Sequence, residues 1–305
     1  MKLSIIISTF NRKDKLIRCI NSIFGQSSKL NYEILIIDDN SNDGTQEMFE
    51  YINSPRIKYF RIKNNGGKIP AVNYGIKKAS GTHITFIDDD DFFHKDFFKY
   101  IIKYKTKIKG IALFPSLNTQ GYSSGIINKT KEYTLRDLIL KKDLFGELNV
   151  LAKSKIIKKN PYDESVFYFE SFSQYFWYLN NHVFGIKYPS SIKDTTGQDR
   201  VSNKLLDPKN SNQRFKDYNK YIKRFKQYYL KNNLLSQLNK IYFNTAFYGI
   251  LSNNDISESL NYFKLNSVKY YYLFKFLDIV PHQLFLVLYR MFLPALTKKL
   301  VYSKR

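Results

Sequence analysis

Four consecutive aspartates, Asp88 to Asp91, form the strongest chemical signal in the sequence. Adjacent carboxylates repel one another unless a cation lies among them, so this cluster, here called the acidic tetrad, indicates a cation site. Alternate residues of an extended segment project to the same side, which would let Asp88 and Asp90 share a hard cation such as Mg²⁺ or Mn²⁺. The alternative is a solvated acidic turn that caps a helix beginning near His94.

A second pair of carboxylates, Asp38 and Asp39, directly follows the apolar run 34–37. A carboxylate at the end of a buried strand can accept hydrogen bonds from a nucleobase N–H or a ribose hydroxyl. Ser41 and Asp43 come just after the pair and are typical helix N-cap residues, so their role can be purely structural. The pair therefore predicts a nucleoside contact, whereas the cap residues do not.

Two glycines, Gly66 and Gly67, stand shortly before the predicted helix Ala71–Ala79. Glycine permits a ligand to approach the backbone closely, and a helix N-terminus favours phosphate. An ordinary loop is the alternative, because the segment is neither a P-loop nor a dinucleotide fingerprint.

The elements that would bring these clusters together are short β-branched runs separated by amphipathic helical stretches. This alternation is typical of buried parallel strands joined by right-handed βαβ units. Ligands bind at the carboxyl ends of such strands, where the polar clusters stand. The predicted strands are Leu3–Ser8, Glu33–Asp38, Ile57–Ile62 and His83–Asp88.

Composition excludes several classes of protein. The 305 residues are 43% hydrophobic and 17% aromatic, which excludes a disordered chain, and a single Cys excludes a disulfide framework or a multi-cysteine metal site. The net charge of +23 indicates anionic partners. No apolar run approaches the roughly 20 residues that span a bilayer, and no secretory signal is visible, so a cytoplasmic location is expected.

In combination, these segments resemble a bacterial family 2 glycosyltransferase with the GT-A fold, of the kind that builds surface polysaccharide or lipid-linked oligosaccharide. The likeness is specific over about residues 1–100, weak over 110–200 and absent beyond. Phe86–Asp91 resembles the family's metal-binding DxD motif, and Ile37–Thr45 resembles its nucleoside-binding motif. The other matching segments are Leu3–Arg12 and Asn65–Gly75 with Ala79–Gly81.

The resemblance implies a nucleotide-sugar donor, most often a UDP-hexose, with Mn²⁺ or Mg²⁺ on its diphosphate. It assigns metal binding to Asp88 and Asp90. Val72 stands where the family often has Arg, so Lys68 or Lys63 would supply that positive charge. The residues predicted to bind the donor are Thr9, Asn11, Asp39, Lys68, Asp88, Asp89 and Asp91.

The resemblance also implies an inverting transfer to a hydroxyl of a glycan or lipid-linked glycan, which requires a base on the acceptor side. The family places this base in a Glu-Asp pair before an aromatic helix. Glu170 fits that place, although Ser171 stands where the family has Asp. Asp163 and Glu164 are the next candidates, and a structural acid at a helix N-terminus is the alternative for Glu170.

Two other functions stay open. A nucleic-acid-binding protein would account for the charge and for the Lys and Tyr residues interleaved over 215–230. No recognised nucleic-acid module is visible, however, so no nucleic-acid partner is expected. A sugar-phosphate nucleotidyltransferase would need a Gly-rich, Arg-bearing loop after the first strand, where Thr9–Arg12 stands instead.

The sequence predicts a GT-A domain over residues 1–204, with a donor half over about 1–110 and an acceptor half over about 111–204. Residues 205–305 form a basic, aromatic and helical region. Its apolar run Leu284–Leu296 is too short to span a bilayer, so the region is expected to lie on the anionic inner face of the cell membrane. Aromatic anchors would be supplied by Tyr221, Phe225, Tyr228 and Tyr229, which stand among lysines. Packing of the run against the catalytic domain is the alternative.

Overall fold

The structure is a computed structural model, and the residues that it describes fall into two compact units. The first unit holds residues 1–165 and the later described residues up to 194, whereas the second holds residue 166 and residues 210–286. The described residues are 1–26, 29–52, 54–141, 143–166, 174, 177–194 and 210–286.

Parallel strands form the N-terminal half of the main sheet. They are β1 (Lys2–Thr9), β2 (Asn31–Asp38), β3 (Ile57–Arg61) and β4 (His83–Phe86). They lie in the order β3-β2-β1-β4. Thr9 pairs with Asp38 at the end of β1 and β2, and Ile6 pairs with Phe86 at the end of β4. The carboxyl ends of these three strands therefore meet at one edge of the sheet.

Amphipathic helices cover this half of the sheet. They are α1 (Lys13–Phe24), α2 (Thr45–Tyr51), α3 (Lys68–Lys78) and α4 (Phe97–Tyr104). Helix α1 buries residues at helical spacing, from Leu16 to Ile23. Helix α3 approaches the sheet so closely that a Cβ at Gly75 would lie 2.6 Å from Cγ2 of Ile6. Glycine at this position thus sets the distance between α3 and the sheet.

The second half of the sheet is mixed. The elements in this part of the chain are β5 (Phe92–Phe93), β6 (Ile111–Asn118), β7 (Gly125–Ile127), β8 (Lys131–Tyr133), α5 (Leu135–Leu140), β9 (Leu144–Gly146), β10 (Leu148–Lys153), α6 (Ser154–Lys159), β11 (Val183–Gly185) and β12 (Ser191–Lys193). Strand β10 runs antiparallel between β4 and β6, and the sheet continues to β11 and β8. Strand β12 pairs with both β5 and β6, while β7 and β9 form a separate two-stranded antiparallel sheet.

The second unit, as far as it is described, consists mainly of helices. They are α7 (Ser211–Lys231), α8 (Leu235–Leu251), α9 (Ser257–Asn266) and α10 (Val268–Ile279). Tyr221 and Phe225 are each only 1% exposed, and the hydroxyls of Tyr221 and Tyr229 lie 2.7 Å apart in the interior of the unit. The prediction that Tyr221, Phe225 and Tyr229 are membrane anchors is therefore wrong: all three are core residues of α7.

The predicted α/β sheet followed by a helical region is confirmed, although the fourth strand ends at Phe86 rather than at Asp88. The domain boundary at residue 204 stays a prediction, because residues 195–209 lie outside the described part of the chain. Glu170 and most of the run Leu284–Leu296 also lie outside it. Among the described residues, no helix has the length and hydropathy needed to cross a bilayer.

Candidate active site

Asp39 joins the carboxyl ends of β1 and β2. Its backbone N–H donates to the carbonyl of Thr9 at 2.9 Å. Its buried carboxylate accepts from the N–H groups of Gly66 and Gly67 at 3.0 and 2.7 Å. Gly67 has a φ of +86°, where a side chain would be strained. The glycine pair thus orients the Asp39 carboxylate. The carboxylate oxygens have further lone pairs, which can accept hydrogen bonds from a ligand.

Asn11 and Ser41 tie the loops after β1 and β2 together. Ser41 Oγ accepts from the N–H of Asn11 at 2.9 Å, and Asn11 Oδ1 accepts from the N–H of Asn42 at 2.8 Å. Asp38 is fully buried and accepts from the Ser41 N–H at 2.8 Å and from the Tyr59 hydroxyl. Asp38 therefore shapes the loop after β2, whereas the nucleoside contact of Asp39 stays a prediction.

Asp43 has a structural role at the start of two helices, although Gly44 rather than Asp43 is the N-cap residue of α2. Its carboxylate accepts from Thr45 Oγ1 at 2.6 Å and from the Lys13 N–H at 2.8 Å, at the first residues of α2 and α1. Burial raises the pKa of Asp43, but these hydrogen bonds outweigh burial and lower it overall.

The acidic tetrad follows β4, and two of its members contact the loop after β1. Asp89 is buried and accepts from Thr9 Oγ1 at 2.8 Å and from Arg12 Nη1 at 3.2 Å. The same guanidinium nitrogen donates to Asp90 at 3.0 Å. Burial raises the pKa of Asp89 to about 6. Thr9 and Arg12 therefore fix the tetrad against β1.

The other two members of the tetrad are paired with lysines. Asp88 lies 2.9 Å from Lys68 Nζ and 3.6 Å from Lys193 Nζ, and Asp91 lies 2.6 Å from Lys193 Nζ. The charge of Lys68 holds the pKa of Asp88 well below its usual range, whereas burial raises that of Asp91 to about 6. Burial lowers the pKa of Lys193, but the two carboxylates outweigh it and raise the pKa overall.

Strand β12 explains how Lys193 reaches the tetrad. Ser191 pairs with Phe93 and Ile192 with Phe92, so β12 lies beside the segment that follows the tetrad. The Asp194 N–H then donates to Asp91 Oδ1 at 3.0 Å. From the sequence, Lys193 begins the segment 193–200, which is predicted either to close over the donor diphosphate or to be a plain surface loop. The pairing of Lys193 with the tetrad was not predicted, because a three-residue strand gives no periodic signal and its partner is distant in the chain.

The tetrad has the oxygen donors that a hard cation requires. One carboxylate oxygen from each of Asp88, Asp90 and Asp91 lies within 4.8 Å of the others. Three carboxylates at this spacing suit Mg²⁺ or Mn²⁺. Asp88 and Asp90 were predicted as the metal pair and lie together, and the structure adds Asp91, for which the sequence predicted donor binding.

A cavity of about 390 Å³ opens beside Asp88 in the first unit. Its described lining carries positive charge at Lys68 and Lys193 and negative charge at Asp88 and Glu147. The polar side chains Asn149, Tyr162 and Gln174 also line it. Glu147 and Asn149 were missed by sequence analysis, and neither stands in a motif that could have revealed it.

Two of the acids predicted to act on the acceptor side, Asp163 and Glu164, lie within the described residues, and neither is at this cavity. Glu164 accepts from Asn73 Nδ2 at 2.9 Å, and Asp163 accepts from the Ser165 N–H at 3.0 Å. Neither residue is among those that line the cavity. Glu170 lies outside the described residues. Among the described residues that line the cavity, the acidic ones are Asp88 and Glu147.

A mixed α/β sheet with an acidic cluster at the carboxyl ends of its parallel strands has the architecture that the resemblance to the GT-A fold predicted. Residues 4–176 match the profile of glycosyl transferase family 2, more than half of the chain. The chain therefore belongs to glycosyl transferase family 2, and both the predicted family and the predicted fold are confirmed.

Curated relatives match mainly over part of their length. An uncharacterized glycosyltransferase of Rickettsia conorii is 44% identical over 104 residues, 34% of this chain and 17% of the relative. The poly(ribitol-phosphate) beta-N-acetylglucosaminyltransferase TarP of Staphylococcus aureus is 28% identical over 179 residues, 57% of this chain and 54% of TarP. The GalNAc(5)-diNAcBac-PP-undecaprenol beta-1,3-glucosyltransferase of Campylobacter jejuni is 43% identical over 97 residues, 30% of each chain.

Solved structures share the fold at low identity. Residues 1–349 of S. aureus TarS in complex with UDP-GlcNAc give a TM-score of 0.59 at 19% identity, covering 88% of this chain and 74% of that one. The mannosyltransferase PcManGT of Pyrobaculum calidifontis, in complex with GDP-Man and Mn²⁺, gives 0.56 at 14% identity, covering 99% and 88%. At these identities the likeness shows the fold alone.

Proposed function

We propose that this protein is a metal-dependent, inverting glycosyltransferase that moves a hexose from a nucleotide sugar to a hydroxyl of a glycan or lipid-linked glycan. The observation that carries the proposal is that Asp88 of the tetrad lines one cavity together with Lys68 and Lys193, at the edge of the sheet where β2, with Asp39 after it, also ends. This edge combines a cation site, two ammonium groups and a nucleoside-binding carboxylate.

The donor would lie along the ends of β1, β2 and β4. Asp39, held by two glycine N–H groups, would accept from the base or ribose, while Thr9 and Asn11 keep the adjoining loops in position. Lys68 is the first residue of α3, so its ammonium and the helix N-terminus would both favour the diphosphate. UDP is the preferred nucleotide, supported by the TarS complex with UDP-GlcNAc.

Departure of the nucleoside diphosphate requires neutralisation of the charge that it gathers. Asp88, Asp90 and Asp91 would hold a divalent cation, which supplies Lewis-acid stabilisation of that charge. Lys68 and Lys193 would add positive charge beside Asp88. Arg12 holds Asp89 and Asp90 in position through its guanidinium.

The acceptor hydroxyl must lose a proton as it attacks the sugar carbon, and a carboxylate on its side would take that proton. A single in-line attack of this kind inverts the anomeric centre without a covalent intermediate. Glu170 is the base that the family resemblance favours, and Glu147 is the alternative that the cavity lining favours. Glycan or lipid-linked acceptors are supported by the names of the S. aureus and C. jejuni relatives.

A panel of UDP- and GDP-sugars tests the proposal. Purified protein is incubated with each donor, with Mn²⁺ or with excess EDTA, and both donor hydrolysis and the midpoint of thermal unfolding are recorded. We expect one donor to be hydrolysed in the presence of Mn²⁺ but not in EDTA. The same donor should raise the midpoint of thermal unfolding of the protein. Asp90→Asn should abolish hydrolysis with little change in folding, while the exposed Asp14→Asn serves as the matched control. Full activity in EDTA would refute the metal dependence.

A further inference from the structure

Helix α10 exposes a continuous apolar stripe. Val268, Tyr272, Phe276 and Ile279 follow one another at intervals of four, four and three residues, which places them on one face of a helix. Their exposed fractions are 65%, 65%, 62% and 75%. Large apolar side chains on a protein surface are normally scattered singly, so a contiguous stripe indicates an interaction surface.

The orientation of the stripe is fixed by the opposite face of α10. Phe274 is fully buried, and its ring lies 5.1 Å from that of Phe243 and stacks at 5.6 Å on that of Phe263. These contacts hold α10 against α8 and α9 within the second unit. The stripe, on the other side of the helix, therefore faces away from the core of that unit.

Lysines flank the stripe on both sides. Lys269 and Lys275 occupy helix positions next to its two edges, and both are exposed. The Lys275 ammonium lies over the ring of Tyr271, 5.6 Å from its centroid. An apolar band with basic edges suits an anionic lipid surface, since long lysine side chains reach the headgroups while the apolar side chains enter the acyl boundary.

Charge also argues against a second copy of this chain as the occupant. The chain carries a net charge of +23, and two such stripes face to face would bring four lysines together. An anionic membrane offers the opposite charge over a wide area. Helix α10 has 12 residues, about 18 Å at 1.5 Å per residue, so it would lie along the surface rather than cross it.

We propose that the exposed stripe of α10 docks this protein on the surface of a bilayer that contains anionic lipids. The proposal moves the docking surface from the run Leu284–Leu296, where the sequence predicted it, to residues 268–279. Docking would bring the catalytic unit to acceptors carried on lipid, but it depends on the second unit and not on the chemistry of the tetrad.

Flotation with liposomes tests the proposal on the full chain. Vesicles of phosphatidylcholine with about 30% phosphatidylglycerol are compared with pure phosphatidylcholine at low and high salt. We expect binding to the anionic vesicles that weakens with salt. Phe276→Ser with Ile279→Ser should lower the partition coefficient about tenfold or more, since the apolar side chains that would enter the acyl boundary are then lost.

Matched variants distinguish vesicle binding through the stripe from non-specific vesicle binding by a basic protein. Lys269→Gln with Lys275→Gln should lower binding about 25-fold, at about fivefold for each charge. The exposed pair Lys105→Gln with Lys107→Gln and the 87% exposed Tyr51→Ser are the controls, and should bind as the wild type does. Circular dichroism confirms folding, and donor hydrolysis in solution, expected to be unchanged, keeps this test separate from that of the proposed function.

Three outcomes would overturn the proposal. Wild-type protein that fails to float with anionic vesicles removes the membrane as the occupant. If the stripe variants float as well as the wild type does, then another segment binds the membrane, and the run Leu284–Leu296 is the next candidate. A dimer or trimer in sedimentation equilibrium that dissociates in Phe276→Ser would identify a second copy of the chain as the occupant.

Discussion

Replacing Glu33 by glutamine tests how the sheet is held together at the edge away from the site. Glu33 lies near the start of β2 and its side chain is only 4% exposed. Its carboxylate accepts from Ser4 Oγ at 2.6 Å, from the Ser80 N–H at 2.7 Å and from Lys58 Nζ at 2.8 Å. It thus connects β1, β2, β3 and the segment before β4.

The pKa of Glu33 gives the magnitude. Burial raises this pKa, but the hydrogen bonds from Lys58, Ser4 and Ser80 outweigh it and lower the pKa from 4.5 to about 2. That fall corresponds to about 3 kcal/mol of stability at neutral pH. Screening by water at Lys58, which is 45% exposed, reduces the expected loss in Glu33→Gln to about 2 kcal/mol.

The sign of the pH dependence follows from the lowered pKa. A carboxylate with a folded pKa below its unfolded pKa stabilises the protein fully above the unfolded value, near 4.5, and loses that effect as the pH falls towards 2. The difference in unfolding free energy between the wild type and Glu33→Gln should therefore shrink between these two pH values.

Urea unfolding followed by circular dichroism at pH 7, 5, 4 and 3 measures this difference. The exposed Glu50→Gln is the matched control and should change the free energy of unfolding by less than about 0.5 kcal/mol. UDP affinity should be unchanged in both variants. A loss in Glu33→Gln that is constant from pH 7 to 3, or absent at pH 7, would refute the reasoning.

Three further predictions concern the site and its support. Asp39→Asn should weaken UDP binding, measured by calorimetry, about tenfold or more, because a charged hydrogen-bond partner is lost; unchanged affinity would contradict the nucleoside role. Gly75→Ala should lower the midpoint of thermal unfolding, since overpacking against Ile6 at 2.6 Å costs about 1–3 kcal/mol and helix propensity returns only about 1 kcal/mol; a higher midpoint would contradict this packing argument. Glu170→Gln should reduce turnover by roughly two to four decades while donor affinity survives, and the same effect in Glu147→Gln instead would assign the base to the cavity wall.

The parallel half of the fold and the acidic edge could be predicted from the sequence because their signals are local. Runs such as Ile34–Ile37 are long enough to reveal buried strands, and Asp39 and the tetrad stand directly at strand ends. Parallel topology then places those ends together. The pairing of β12 with β5, which brings Lys193 to the tetrad, could not be predicted, since both strands are short and lie far apart in the chain.

The error at α7 has a different cause. Tyr221 and Phe225 stand among lysines, and composition alone suggests aromatic anchors at a membrane. Their spacing carries the correct signal, because Tyr221, Phe225 and Tyr229 recur every four residues and form the buried stripe of an amphipathic helix. For this segment, periodicity predicts burial better than composition does.

The pairing of β12 with β5 has a consequence for the order in which the site forms. The Asp39 contacts with Thr9 and the glycines need only the first 67 residues, whereas the Asp194–Asp91 hydrogen bond closes a separation of 103 residues. Contacts of long sequence separation form late, because loop-closure entropy opposes them. During synthesis, the nucleoside end would therefore assemble early, and the tetrad would acquire the Lys193 counter-charge only after translation has passed residue 193.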